Sequence, residues 1–421
     1  MFKNPHRQQA GIDQHAKAAG EATILTGASS TSAMQPVHHR MAHIDALRGL
    51  ALLGVIVMNI GSMAMSINAP HVLAGASLAE MGVLAMDILL MFGKARASFA
   101  FLFGAGFAIL LARASASHAQ FGSFYTRRLL ALLLFGIVNQ LFLFYGDILV
   151  TYALLGFVLL LCRGGSDAAL LKTGLVLAVV PPILHAGLEL LAGGALPNLA
   201  DGSIADRMAR GLAAYSSPHY ADAVRENFIL GVTRHATATA PMVVGDLALL
   251  GLFFLGAWSV RTGLLTDPSR HAATLRRIAW VCIPAGFVLS AVNMLPMLGI
   301  RPGGIGDALI TASALTAPVL AVGYLAGLTL LFSRTDGPLQ RLLASAGRMA
   351  LSNYLLSGAI GTWVLYGYGL GKLDAFGIAG LTLFGVSLFL ALALASRLWL
   401  RAMPFGPAEW LWRRLSYRVR R

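Results

Sequence analysis

Charged residues are scarce in this sequence. Aspartate, glutamate, lysine and arginine make up 12% of the 421 residues, whereas a typical soluble domain contains about 25%. Hydrophobic residues make up 57% of the chain, and the mean hydropathy is +0.72. This balance excludes a soluble globular protein and predicts an integral membrane protein.

Cysteines and recognisable ligand motifs are also few. The two cysteines, Cys162 and Cys282, each lie in an apolar run, so neither a disulfide framework nor a metal site is expected. The sequence contains no phosphate loop, zinc motif or nucleophile elbow. The net charge of +14 comes largely from arginines just beyond the ends of apolar runs. That pattern indicates contact with membrane lipids and not with nucleic acid.

The apolar runs have the length of membrane-spanning helices. Runs near 20 residues are typical of α-helices that cross a bilayer and not of the alternating strands of a barrel. We therefore predict an all-α polytopic membrane protein with about ten transmembrane helices. The predicted spans are 44–65, 97–113, 128–145, 147–162, 169–192, 238–260, 278–298, 310–332, 349–368 and 375–397.

The stretch 79–92 is ambiguous because it is apolar but short. As a helix it would reach about 21 Å, whereas the hydrocarbon core is about 30 Å thick. If it does not cross, the arginine-rich segments after the second, fourth, sixth and eighth spans all lie on the side of both termini. The distribution of basic residues therefore predicts a half-depth or interfacial helix on the outer side, with both termini cytosolic.

The domain organisation follows from this topology. Residues 1–40 have no apolar core and are predicted to form a disordered cytosolic extension. The tail at 401–421 combines tryptophans with arginines and is predicted to place a short helix on the cytosolic surface. Between them lie the N-terminal membrane half at 41–192, an external loop at 193–237 and the C-terminal membrane half at 238–400.

Polar side chains within the apolar runs are candidate site residues. A charged residue at a helix centre costs about 2.5–3.5 kcal/mol on insertion scales, so such residues usually face the protein. In the first span Asp45, Arg48 and Asn59 are spaced so that they share one helix face. For every such residue, a role in joining or anchoring helices remains open beside a role in a site. Within other spans lie Asn139, Gln140, Asp246, Asn293 and Asn353. Outside them lie His71 in the outer loop, Asp87 in the half-depth helix, Lys94 and Arg96 after that helix, and Asp147 at the outer turn between the third and fourth spans.

Five stretches together resemble the YeiB-like family of bacterial inner-membrane proteins. They run in order from Ile44 to Tyr417, and the first forty residues lie outside the resemblance. The resemblance implies a multi-pass protein of the bacterial inner membrane. The stretches are HIDALRGLALLGVIVMNI, FLFGAGFAILLAR, YGDILVTYALLG, GRMALSNYLLSG and FGPAEWLWRRLSY.

The N-terminal half of this family is similar to transmembrane acyltransferases of the heparan-glucosaminide acetyltransferase type. Those enzymes begin with a comparable Asp-x-x-Arg-Gly helix and transfer an acyl group from a cytosolic coenzyme A thioester to an acceptor. The resemblance implies that Asp45, Arg48 and Gly49 help to shape the donor site. Acyl-CoA would be a co-substrate and not a tightly bound cofactor. The acceptor would be a lipid, a glycan or a small molecule of the envelope.

The residues expected to meet the acceptor and to catalyse the transfer lie mainly toward the outer side. Some transmembrane acyltransferases carry a histidine where this sequence has Asn59, and an amide cannot act as a general base. His71, placed in the following outer loop, is then the candidate base, and Asp87 or Asp147 would orient it. The candidate acceptor-binding residues are Asn59, Lys94, Arg96, Asn139, Gln140 and Asn353.

Two other functions remain open at this point. A small-solute transporter or exporter would use Asp246, Asn293 and Asn139 to line its path, with alternating access to the two sides. A non-catalytic membrane scaffold would need the polar residues only to join helices.

Overall fold

The described part of the protein consists almost entirely of helices. The computed structural model describes residues 36–116, 121–191, 204–236, 239–295 and 305–417. The chain divides into two units, Met1–Ala42 and His43–Arg421, and the second contains nearly all of the described residues. These residues form α-helices and a short 3₁₀ turn, and no β-strand occurs among them. The predicted disordered extension at 1–40 lies outside the described residues, except that 36–40 are helical.

Sixteen α-helices follow one another along the described residues. They are α1 Pro36–Ala74, α2 Leu78–Leu90, α3 Lys94–Ala116, α4 Phe121–Phe142, α5 Leu149–Leu161, α6 Asp167–Leu191, α7 Ile204–Ser216, α8 Tyr220–Ala236, α9 Ala240–Arg261, α10 Ala272–Met294, α11 Ile305–Ala312, α12 Thr316–Arg334, α13 Pro338–Arg348, α14 Ala350–Leu365, α15 Ile378–Ala402 and α16 Pro407–Ser416.

The helices confirm an all-α polytopic membrane protein. Eight stretches of the described chain are helical, long and apolar enough to cross a membrane. The predicted spans 147–162 and 349–368 contain the shorter helices α5 and α14. The eight long stretches are Ala42–Met65, Leu78–Ala114, Phe121–Phe142, Asp167–Leu191, Ala240–Arg261, Ala272–Met294, Ile305–Arg334 and Ile378–Ala402.

Helix α5 is short because the connection before it folds into the protein. With 13 residues, α5 spans about 20 Å. Asp147, at its start, is only 2% exposed and accepts a hydrogen bond from the hydroxyl of Tyr354, near the start of α14. Asp147, predicted at the outer turn between the third and fourth spans, is therefore enclosed by the protein, and its position relative to the membrane stays a prediction.

Helices α2 and α3 form one apolar stretch that is interrupted in its middle. Gly93, between them, has a φ of 77°, which glycine adopts without steric cost. Helix α2 runs beside the first turns of α15, where the Thr382 hydroxyl donates to Asp87 over 2.6 Å. A helix is therefore present in the predicted stretch 79–92, and α3 follows it with the second predicted span; the half-depth position of α2 stays a prediction.

The segment predicted as an external loop contains two helices, α7 and α8. Tyr215 of α7 is fully buried and stacks on Tyr366, with 4.4 Å between ring centroids. In α8, the amide of Asn227 donates to the carbonyl of Leu141 at the end of α4 over 3.1 Å. The segment predicted as an external loop is therefore helical and packed onto the membrane helices.

Small residues allow helices α3 and α9 to cross in close contact. A Cβ on Gly104 would lie 1.9 Å from the carbonyl oxygen of Phe253, and one on Gly256 would lie 1.9 Å from that of Phe101. Helices that lack side chains at the crossing approach each other closely, which favours dispersion contacts in a membrane. Gly104, in the stretch FLFGAGFAILLAR, therefore serves helix packing.

The C-terminal helix α16 caps another helix. The Glu409 carboxylate accepts from the backbone N–H groups of Leu351 and Ser352 over 2.7 and 3.0 Å, and from the Ser352 hydroxyl. These N–H groups belong to the first turn of α14, where they have no partner within the helix. The predicted short helix in the tail is present, and its carboxylate completes α14.

We predict that Glu409→Ala lowers stability. The change leaves two N–H donors of α14 without their acceptor and should cost about 1–3 kcal/mol. The midpoint of thermal unfolding in detergent measures this effect. Asp336→Ala is the control, because Asp336 belongs to an exposed ion pair with Arg341 at 3.8 Å and such pairs contribute less than about 1 kcal/mol. Equal midpoints for both variants would contradict the capping role.

Candidate functional site

The first helix carries an ion pair near its start. Arg48 donates from Nη1 to Asp45 Oδ1 over 2.9 Å, and both side chains are about one quarter exposed, at 28% and 23%. The other terminal nitrogen of Arg48 lies 3.2 Å from the position that a Cβ on Gly106 would take. The pair is therefore held against α3 and still reaches solvent, as a site for an outside ligand requires.

Gly49, the third residue predicted for the donor site, lies at a helix crossing. A Cβ on Gly49 would lie 1.9 Å from the carbonyl oxygen of Leu343, and one on Gly347 would lie 1.9 Å from that of Asp45. Helix α13 therefore packs on α1 through a pair of glycines. This contact explains Gly49 without a ligand, and its part in a donor site stays a prediction.

Arg128 lies close to Arg48, and Arg413 lies close to Arg128. The guanidinium of Arg128 sits 3.5 Å from the centre of the Trp412 ring, and that of Arg413 sits 3.9 Å from the centre of the Phe405 ring. Arg128 is near enough to both Arg48 and Arg413 for their charges to repel. We call Arg48, Arg128 and Arg413 the arginine group. Asp45 is paired with it, so positive charge exceeds negative charge in this group.

A second polar group surrounds Asp147. Its Oδ1 accepts from the Asn139 amide over 2.7 Å and from the Tyr354 hydroxyl over 3.2 Å, and its Oδ2 accepts from the N–H of Val150 over 2.9 Å. Asp147, Asn139 and Tyr354 are all buried. Asp147 therefore satisfies the first turn of α5, and its carboxylate is enclosed by donors of the protein.

A set of charged residues lies beside this group. The electrostatic neighbours of Arg96 are Tyr152, Arg234 and Asp246, which belong to α5, α8 and α9. The Tyr152 hydroxyl donates to the backbone carbonyl of Arg96. Tyr152 is also a close electrostatic neighbour of Tyr354. The charged set and the Asp147 group therefore form one continuous polar region between helices.

The remaining predicted residues are dispersed. The Asn353 amide donates to Ser396 Oγ over 2.8 Å, joining α14 to α15. Gln140 lies against Gly231 of α8, whose Cβ would be 3.0 Å from the side-chain nitrogen. Asn59 is half-buried on α1. The structure thus unites Arg96, Asn139 and Asp147 in one region but not with the others.

The predicted catalytic histidine is placed differently from expectation. Residue 71 belongs to α1, which continues to Ala74, so the prediction of a loop is wrong. The side chain of His71 lies outside the described residues, and its role stays a prediction. Asp87, predicted to orient it, is instead hydrogen-bonded to Thr382 of α15.

Several residues of these groups were missed from the sequence. Arg128 and Arg413 served only as indicators of topology, and Tyr152 and Tyr354 were not assigned to a site. An arginine next to a span and a tyrosine within one are ordinary in membrane proteins. Only the folded arrangement brings the arginines and tyrosines to Arg48 and Asp147.

Comparison with known proteins finds bacterial relatives that the chain covers over nearly their whole length. The uncharacterized protein YeiB of Escherichia coli (strain K12) is 30% identical over 90% of this chain and 97% of its own length. The chain belongs to the YeiB-like family. Residues 259–419 match the family described as protein of unknown function DUF418. The uncharacterized protein YxaH of Bacillus subtilis (strain 168) is 28% identical over 92% of this chain and 97% of its own.

The C-terminal match covers part of each candidate group. It contains the tail with Arg413 and the start of α14 with Tyr354. Arg48, Asp147 and Arg96 lie before it and fall within the alignments to the whole-length relatives, which cover at least 90% of the chain. Both groups therefore join the two halves of a YeiB-like protein.

We predict that Gly49→Ala destabilises this YeiB-like protein by displacing α13. The added methyl group would overlap the backbone of Leu343, and overpacking of this kind costs about 1–3 kcal/mol. Thermal unfolding in detergent measures the loss. Gly61→Ala is the matched control on the same helix, since no described atom lies within 4 Å of its Cβ. An unchanged unfolding midpoint for Gly49→Ala would show that the crossing tolerates a side chain.

Proposed function

We propose that this YeiB-like protein is an acyltransferase-like membrane enzyme. It would move an acyl group from cytosolic acyl-CoA to a lipid, glycan or small-molecule acceptor of the envelope. The observation that supports this proposal is the arginine group, which lies at the end of α1 predicted to be cytosolic. The resemblance of the first helix to transmembrane acyltransferases supports the choice of donor.

The chemistry of the arginine group suits the phosphates of coenzyme A. A guanidinium binds phosphate oxygens through two parallel hydrogen bonds and keeps its charge at all physiological pH values. Asp45 holds Arg48, and the Trp412 ring holds Arg128. Side chains fixed before binding lose less conformational entropy when the ligand arrives. The group is therefore arranged to bind a polyanion at low entropic cost.

The length of α1 sets a condition on the transfer. Residue 71 follows Arg48 by 23 positions on one continuous helix, which corresponds to about 35 Å. That distance is as long as the hydrocarbon core is thick, roughly 30 Å. If the phosphates of coenzyme A bind at Arg48 and His71 is the base, the arm that carries the thioester must extend from the arginine group into the protein toward the outer end of α1.

We predict that Arg48→Ala weakens binding of acyl-CoA about tenfold or more, since a charge-assisted hydrogen bond contributes about 1.5–3 kcal/mol. Binding of acetyl-CoA and palmitoyl-CoA to the purified protein is measured by isothermal titration calorimetry. Arg277→Ala is the control, because this substitution removes the same charge from an exposed residue on the same predicted side of the membrane. If the unmodified protein binds neither acetyl-CoA nor palmitoyl-CoA, acyl-CoA is not the donor.

A transporter is the second candidate, and the charged set around Arg96 favours it. Ionisable residues within membrane helices often mark the path of a solute. Asp246 and Arg96 lie on α9 and α3, and both belong to the continuous polar region.

The transport reading predicts a solute that enters proteoliposomes only when Asp246 is intact. Proteoliposomes would be incubated with an isotope-labelled extract of bacterial metabolites, and their contents analysed by mass spectrometry. Asp246→Asn should abolish accumulation, and Asp336→Asn, an exposed change, should not. If no metabolite accumulates with the unmodified protein, the transporter loses its support.

A further inference from the structure

A cavity of about 460 Å³ lies beside the interruption between α2 and α3. Helices α1, α3, α10 and α12 form its walls, and apolar side chains such as Leu47, Phe287 and Leu328 cover most of them. Small-molecule sites commonly have volumes of about 300–1,000 Å³ and apolar walls with a few polar groups. The cavity contains neither the arginine group nor Asp147, so it is a separate feature.

The cavity wall includes a buried ammonium group. Lys94 is 2% exposed, and its Nζ donates to the carbonyl oxygen of Ile88 over 2.6 Å. A lysine ammonium has three N–H donors, and among the described residues it has no carboxylate partner. A buried charge without a counter-ion is costly and in membrane helices usually marks a functional position. An anionic ligand would therefore stabilise the buried charge of Lys94.

Two residues with hydroxyl groups, on different helices, line the same cavity. The Tyr324 hydroxyl is buried and has no hydrogen-bond partner in the described part of the chain. Ser98, one helical turn after Lys94, also lines the cavity. A buried hydroxyl without a partner costs free energy unless a ligand satisfies it. The lining of this cavity thus includes one ammonium group and two residues with hydroxyl donors.

The other end of the cavity is apolar and reaches the surface. Leu331 follows Tyr324 by seven residues, about 10 Å along α12. Leu331 at this end and Leu90, four residues before Lys94, both line the cavity and are 52% and 38% exposed. On a membrane helix such exposed leucines meet lipid chains. The cavity is therefore open sideways to the bilayer.

Lys94 lies level with the middle of the apolar stretch of α1. Its neighbour Ala95 approaches Gly54 so closely that a Cβ on Gly54 would be 2.7 Å from the Ala95 Cβ. Gly54 is at the centre of the apolar stretch Ala42–Met65. A phospholipid headgroup stays in the interfacial layer, some 15 Å from the middle of the bilayer core. The depth of the ammonium thus favours a small carboxylate over a phospholipid headgroup.

We propose that this cavity binds one long-chain fatty acid, with the carboxylate on Lys94 and the chain along the apolar wall toward Leu331. The ammonium provides the counter-ion, and the hydroxyls of Ser98 and Tyr324 donate to the carboxylate oxygens. The fatty acid enters from the bilayer between Leu90 and Leu331. This site does not rest on the proposed acyl transfer, because it uses none of the residues of the arginine group.

Binding of radiolabelled palmitate to the purified full-length protein in detergent tests the proposal. Lys94→Met keeps the length of the side chain and removes its charge, and we expect affinity for palmitate to fall more than about tenfold. Lys172→Met is the control, since Lys172 is exposed, and its affinity should match that of the unmodified protein. Equal affinity of Lys94→Met and unmodified protein would overturn the proposal.

Two measurements on the unmodified protein keep the proposal testable even if Lys94→Met does not fold. Palmitate with a diazirine at the chain end should label α12 near Leu331 and α1 near Leu47, and labelling elsewhere would overturn the assignment. Unlabelled palmitate should displace the radiolabel far better than phosphatidylglycerol does. Displacement by phosphatidylglycerol at equal or lower concentration would instead assign the cavity to a phospholipid. Acyl-CoA binding is measured separately, so failure of one proposal leaves the other intact.

Discussion

Backbone polar groups need hydrogen-bond partners wherever the helices of a membrane protein are interrupted, and this constraint organises the molecule. Lipid offers no partners, so side chains must supply them. At the gap between α2 and α3, Lys94 donates to the free carbonyl of Ile88. At the start of α5, Asp147 accepts from the N–H of Val150. At the start of α14, Glu409 accepts from the N–H of Leu351. Three charged residues are thus explained first by the chain's own backbone.

These three positions differ in what remains after the backbone is satisfied. Asp147 receives two further donors, from Asn139 and Tyr354, so both oxygens are occupied. Glu409 likewise uses both oxygens, on Leu351, Ser352 and the Ser352 hydroxyl. One N–H group of the Lys94 ammonium donates to Ile88, and Lys94 also lines an apolar cavity where its other two N–H groups are available. The same constraint that makes Asp147 structural therefore leaves Lys94 with capacity for a ligand.

Much of the fold was predictable from sequence because lipid imposes simple rules on length and charge. Runs near 20 apolar residues specified most of the long helices. The burial of Asp147 was not predictable, since it depends on a contact with Tyr354, more than two hundred residues away. Helices α7 and α8 were missed because their buried faces, such as that of Tyr215, form only against other helices.

The candidate site was less predictable than the fold, and depth is the reason. The pattern Asp45, Arg48 and Asn59 revealed a shared face, but Arg48 near an interface can extend its charge to water at small cost. Such an arginine is as common in anchors as in sites. Lys94 is buried and lies level with the middle of the apolar stretch of α1, so solvent does not compensate its charge. Of the cations predicted from sequence, Lys94 therefore carries the strongest physical argument for a ligand. The sequence did not indicate this, because the stretch before it, 79–92, was predicted to be a half-depth or interfacial helix.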